Sequence, residues 1–296
     1  MKKLIIILVG LAVLLSGCIF SEGKVDIDEN LEDTEDTSYI KEYNQSLFYE
    51  EKNFYSTINV TIENTFENTR GIICPHHLLA SELLHEVFIA VEDRDSYDLI
   101  VIVGPDHNTV DSKNIYTTNL DWITPFGDVK IDDDKLQILK EYPNIKVNNT
   151  LIEREHSNAA LMHFVSYYFK NAKVVNIAIT GTLDMNESLD FSDYLDTNIL
   201  HENTLLIASI DFSHYLDYDR ANTKDEETLK TIIKKDYSSI MEFDNDNVDS
   251  PQSLLSILRF AENNNLKLNL INNKNSYDII SIDKYSTTSY FSIIYN

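Results

Sequence analysis

The chain has 296 residues, with 24 lysines and arginines against 49 aspartates and glutamates, for a formal charge of −25. That balance argues against a nucleic-acid partner, whose phosphates need neutralising cations, and against docking on anionic lipid through the protein face. With two cysteines in all, the body is no disulfide scaffold; its core must hold it together, and roughly 250 residues suffice for one large domain.

Residues 1–17 read as a targeting segment. Lys2 and Lys3 form a basic start, and Leu4 to Leu15 is an apolar run shorter than the about 20 residues a membrane span needs. Leu15-Ser16-Gly17-Cys18 resembles the lipobox of prokaryotic lipoproteins. The resemblance implies a lipidated Cys18 as the mature N-terminus and a lipid-anchored protein on the extracytoplasmic side of the cell membrane. Only Cys74 would then remain, so the mature chain has no internal disulfide. Residues 18–38 carry Glu22, Asp26, Asp28, Glu29, Glu32, Asp33, Glu35 and Asp36 against a lone Lys24. Such a stretch repels itself and buries little, which is the composition of a disordered tether. No repeat or second linker follows, so residues 39–296 read as one domain.

Within that domain, strand-like and helix-like runs alternate. Gly71–Cys74 reads as a strand, and Leu78–Glu92 as a helix with Leu79, Leu83, Val87 and Val91 on one face. Leu99–Val103 is a buried strand, and Asp132–Glu141 and Asn158–Phe169 are helices. Val174–Thr180 is a strand, Asp190–Leu200 a helix, Leu205–Ile210 a strand and Thr223–Tyr237 a helix. Pro251–Asn263 is helical with proline at its start, and Tyr277–Lys284 and Thr287–Tyr295 read as closing strands. The alternation predicts a single α/β domain, with a mixed, largely parallel β-sheet flanked by helices on both faces.

Four histidines stand just past or beside the strand-like runs: His76, His107, His156 and His214. In open α/β sheets, ligands collect outside the carboxyl ends of the strands. Imidazole is the commonest protein ligand for transition metals and titrates near neutrality. Asp211 lies three residues before His214, where a carboxylate can orient a ring. His85 reads as a helix-face residue and His163 as a buried, hydrogen-bonded side chain. Trp122 fits a pocket wall or the core equally.

Five segments in unbroken order resemble the Memo-like proteins, called AmmeMemoRadiSam system protein B in prokaryotes. Cys74-Pro75-His76 matches the family's Pro-His-Ala-Gly element after a strand. Val103-Gly104-Pro105-Asp106-His107 matches Leu-Gly-Pro-Ser-His, and Thr124-Pro125-Phe126-Gly127-Asp128-Val129 matches Thr-Pro-Leu-Gly-Asp-Val. Glu155-His156-Ser157 matches Glu-His-Ser, and Ser209-Ile210-Asp211-Phe212-Ser213-His214 matches Ser-Ser-Asp-Phe-Ser/Cys-His. The resemblance implies a fold related to class III extradiol dioxygenases and a metal site made by two histidines and a later cysteine. His76 and His107 keep the histidines. The cysteine position falls at Val248-Asp249-Ser250, so Asp249 stands in its place. Two imidazoles and a carboxylate form a set used by non-haem iron enzymes, and thiolate-to-carboxylate exchange shifts preference away from Cu(I). The expected cofactor is a divalent or redox metal, Fe, Cu or Zn. His156, Asp211 and His214 are the expected catalytic groups. His77-Leu78 replaces the family's Ala-Gly.

Three functions are compatible with these residues. One is a metal-dependent redox enzyme acting on an unidentified small molecule. Another is a non-catalytic binding or scaffold module that keeps the fold and meets a protein partner. The third is a metal-assisted hydrolase with His156 or His214 as base. A Gly-x-Ser-x-Gly elbow and a Gly-rich phosphate loop are both missing from the sequence, which disfavours serine hydrolysis and nucleotide chemistry.

Overall fold

Gly71–Cys74 and Leu99–Pro105 are almost wholly apolar, and every residue in both is buried. Strands of that kind belong inside a sheet covered on both faces. The computed structural model describes residues 42–109 and 112–296, so the segment 1–17, the tether 18–38 and Cys18 lie outside the described residues. The strands are β1 (Asn44–Gln45), β2 (Gly71–Cys74), β3 (Leu99–Pro105), β4 (Ile115–Thr117), β5 (Trp122–Ile123), β6 (Ile145–Val147), β7 (Lys173–Ile179), β8 (Thr204–Ser209), β9 (His214–Leu216), β10 (Leu268–Asn275) and β11 (Thr287–Tyr295). Nine of them form one sheet in the order β10-β11-β2-β8-β3-β7-β4-β6, with β9 on β11; β1 pairs separately with β5.

The central strands β2, β8, β3 and β7 run parallel. Antiparallel β11 flanks them on one side and antiparallel β4 on the other. The sheet is therefore mixed, and its four parallel carboxyl ends open on the same edge. Helix Pro251–Asn263 packs with helix Met185–Asn198, and helix Ser81–Ala90 with helix Met162–Tyr168. Helix Pro251–Asn263 starts where the sequence predicts: Ser250 accepts from the Ser253 N–H, and Pro251 occupies a position whose N–H needs no partner. Among the described residues, no helix is long and apolar enough to cross a membrane.

Three expectations need correction. The run 158–169 is two helices, His156–Ala159 and Met162–Tyr168, rather than one. The helix expected over 223–237 begins at Tyr218 and stops at Lys234, where Lys235 takes a left-handed conformation (φ 55°). Tyr277–Lys284 is not a strand. Asn275 and Asp278 cap each other's backbone reciprocally and start a helix, Ser276–Ile280. The strand lies before it, as β10, whose polar Asn-rich sequence gives no apolar alternation and which is set by backbone pairing with β11.

Candidate metal centre

Three of the parallel strands end two residues before a polar side chain. β2 leads to His76, β3 to His107 and β8 to Asp211. Asp249, just ahead of helix Pro251–Asn263, is tied to Asp211: its N–H donates to the Asp211 carbonyl (3.1 Å), and the Asp211 N–H donates to its Oδ2 (3.2 Å). Glycine at 104 lets the fourth segment approach. A Cβ there would lie 2.7 Å from Ser157 Cβ and 3.2 Å from its carbonyl oxygen. Ser157 Oγ instead donates to the Pro105 carbonyl (2.7 Å), which sets Glu155 and His156 beside His107.

The rings converge. His76 is buried, with Nδ1 3.2 Å from Ser209 Oγ and Nε2 3.2 Å from Asp249 Oδ2 and 3.7 Å from Asp211 Oδ2. His107 Nε2 lies 3.8 Å from the same Asp249 oxygen. His156 stacks on His107 with ring centres 4.3 Å apart and stands 4.8 Å from the His76 ring. One nitrogen from each of His76, His107 and His156 falls within 4.8 Å of the others. Asp249 Oδ1 is buried with no hydrogen-bond partner among the described residues. A set of imidazole nitrogens with an orphaned carboxylate oxygen suits iron, zinc or copper(II).

Glu155 is the anchor that sequence reasoning did not assign. It is fully buried. Its Oε1 accepts from His107 Nδ1 (2.8 Å) and the Ser157 N–H (3.1 Å), and its Oε2 from the His107 N–H and Asn108 Nδ2 (both 2.9 Å). A carboxylate on Nδ1 fixes the tautomer that leaves Nε2 free for a ligand. The motif Glu155-His156-Ser157 contained the residue; nothing in its spacing showed that it faces a ring 48 positions upstream.

The electrostatics follow these contacts. Burial works against a charged His107, but hydrogen bonds to Asp249 and Glu155 outweigh it and raise its pKa to about 10. Burial likewise opposes charge on His76, and the carboxylates of Asp211 and Asp249 prevail, so its pKa is raised. His156 goes the other way. Burial, then the neighbouring His76 and His107, lower it to about 4, so it keeps its lone pair at neutral pH.

Asp211 turns to His76, whose backbone N–H it accepts (3.1 Å). No hydrogen bond joins it to the His214 ring among the described residues, and His214 Nδ1 is buried without a partner. The structure thus gathers His76, His107, Asp249, His156 and Asp211, and leaves His214 on β9, outside the three-histidine group. His77 is held by Tyr290 Oη at 2.7 Å and faces a different cavity, with Asn53 and Leu79.

A family profile described as Memo-like protein matches residues 39–294. The chain belongs to the Memo-like protein family. Its Memo-like relatives include a MEMO1 family protein of Caldivirga maquilingensis, 26% identical over 184 residues, which are 60% of this chain and 64% of that relative. A MEMO1 family protein of Saccharolobus islandicus is 32% identical over 142 residues, 46% of this chain and 49% of that one. The matched region thus spans less than two thirds of these curated relatives. Among solved structures, an uncharacterized protein of Escherichia coli K12, JW3007, aligns with a TM-score of 0.52 at 12% identity, covering 77% of this chain and 100% of that one. That likeness speaks for the fold alone.

Four further residues of this Memo-like chain, Trp122, Cys74, His85 and His163, are buried. Trp122 is core: fully buried, it donates from Nε1 to Asn176 Oδ1 on β7 (2.9 Å). Cys74 is buried and unpaired, and burial pushes its thiol pKa up. His85 lies on helix Ser81–Ala90, on its fully buried side. Its Nε2 lies 3.1 Å from the Phe54 carbonyl, which leaves Nδ1 to accept from Tyr168 Oη (2.6 Å). His163 is buried as expected, but its Nδ1 has no hydrogen bond among the described residues.

Proposed function

We propose that this protein is a metal-dependent enzyme of the redox class acting on a small molecule, with His76, His107 and Asp249 as ligands and His156 beside them as the proton-transfer group. The observation that carries the reading is the convergence of three imidazole nitrogens within 4.8 Å at the carboxyl ends of parallel strands. A bound iron or copper would supply redox chemistry, and zinc a Lewis acid. The chain's own residues do the rest. Glu155 holds the His107 ring by Nδ1, and Ser209 and the Asp211 carboxylate set the side chain and backbone of His76. His156, neutral at pH 7, is the group best suited to take a proton from substrate.

The test is metal analysis of the purified protein. Stoichiometric iron or copper, lost in His76→Ala and in His107→Ala, supports the reading. Asp249→Cys should keep binding and shift preference towards copper or zinc. Zinc with esterase or phosphatase turnover would indicate a hydrolase instead. A second reading, a binding or scaffold module, is favoured by one feature: both ring nitrogens of His76 already have protein partners, Ser209 and Asp249. Absence of metal above background would select it.

We also propose that the domain 39–296 is carried at the cell membrane through a lipidated Cys18 and the acidic segment 18–38. The lipobox-like Leu15-Ser16-Gly17-Cys18 supports this. Cys18→Ala should remain unprocessed or go soluble; wild-type fractionation and migration of that variant would refute it.

A further inference from the structure

A cavity of about 280 Å³ opens beside the metal centre, with His107 and Asp249 on its wall together with Asp106, Thr109, Ile179 and Thr182. Asp106 is the residue there without an explanation. It is only 8% exposed. Its Oδ1 is used locally, accepting from the Asn108 N–H (2.9 Å) and the Thr109 N–H (3.2 Å). Its Oδ2 is buried and has no partner among the described residues. Among the described residues, no lysine or arginine lines the cavity. A buried carboxylate oxygen without a donor is costly, so its retention in a cavity wall calls for a ligand that donates to it.

Charge narrows the choice of donor. Asp106, Glu155, Asp211 and Asp249 are four carboxylates in or against the histidine cluster. A divalent ion, with its imidazole ligands neutral, leaves two negative charges over. A neutral hydroxyl would satisfy the Asp106 oxygen but offset none of that excess, whereas an ammonium satisfies it through a charge-assisted hydrogen bond and offsets one of the two charges. We propose that Asp106 is a specificity-determining residue, and that the cavity takes a small molecule whose protonated amine meets Asp106 Oδ2 while its oxygen donors face the side of the metal centre walled by His107 and Asp249. The proposal rests on the metal reading above, because the metal orients the oxygen end.

Two probes separate the claims. 4-Aminobutanohydroxamate and pentanohydroxamate have nearly the same shape and the same metal-seeking end, and differ in ammonium against methyl. Titrated calorimetrically into zinc-loaded protein, the amine should bind about tenfold tighter or better, the range of one charge-assisted hydrogen bond. In Asp106→Asn the advantage should fall to about threefold or less, with zinc content unchanged; Asp106→Ser serves equally should the first variant fold poorly. Zinc uptake with equal affinities for the two probes, with binding of neither, or with an amine advantage that survives both variants, overturns the amine site and leaves the metal reading standing. No zinc uptake overturns the metal reading and the amine site with it.

Discussion

Two groups of histidines lie in this molecule, and the chain treats them in opposite ways. His76, His107 and His156 stand past the strand ends among carboxylates, with Asp211 and Asp249 on one side and Glu155 on the other. His85 and His163 lie on helix Ser81–Ala90 and helix Met162–Tyr168, among Phe54, Phe164 and Tyr49, with no carboxylate contact among the described residues in either case. The same side chain is raised to about 10 at His107 and lowered to about 4 at His85 and about 3 at His163, where burial is the leading cause. Burial alone makes a histidine an awkward core residue. Burial with a carboxylate on one nitrogen makes the other available for chemistry.

The largest effect should come from Glu155. Glu155→Ala leaves the His107 ring and backbone N–H, the Ser157 N–H and Asn108 without their acceptor, and should cost about 3–5 kcal/mol in chemical denaturation. It should also weaken metal binding about 10–100-fold. A loss under about 1 kcal/mol with metal affinity intact would mean that the carboxylate anchors nothing. Gly104→Ala should act through the same joint by forcing Ser157 away, costing about 1–3 kcal/mol. Thermal melting that is unchanged would show that the Ser157 segment can retreat freely.

Acidification tests the other group, with His156 titrating over the same range as His85. His85 has a folded pKa depressed below the unfolded value of about 6.5, so the unfolded chain takes up the proton first. Its contribution is therefore complete above pH 6.5 and is lost as pH falls from there to about 4, by an amount on the order of 2–3 kcal/mol. His163 extends the loss to about pH 3. His85→Gln should shrink this acid limb when stability is measured against pH; an acid limb of wild-type depth would place the titrating groups elsewhere. The smallest effect is expected from His163→Phe. Aromatic rings surround that side chain and its Nδ1 has no hydrogen bond, so stability should change by less than about 1 kcal/mol. A loss above about 2 kcal/mol would reveal a polar role for His163.

How much of this was readable beforehand depends on whether the signal is local. An apolar run followed by a polar residue is local, so His76 and His107 could be placed at strand ends from their own segments. The parallel core was legible for the same reason, as Leu99–Pro105 shows. Glu155 was not, because its role exists only once Gly104 admits Ser157. Asp211 was read as a partner of its neighbour in sequence, His214, whereas the fold turns it to His76 across two strands. β10 escaped notice because five of its eight residues are polar and only its pairing with β11 makes it a strand.

The central claim is that the carboxylate-flanked histidines, and not the aromatic-walled ones, form a metal centre. Elemental analysis of three purified proteins tests it directly: wild type, the double variant His76→Ala/His107→Ala, and the double variant His85→Gln/His163→Phe. Wild type and the aromatic-site variant should each hold about one first-row metal ion per chain, and the strand-end variant none. Metal that persists without His76 and His107, or that disappears with His85 and His163, would contradict the account.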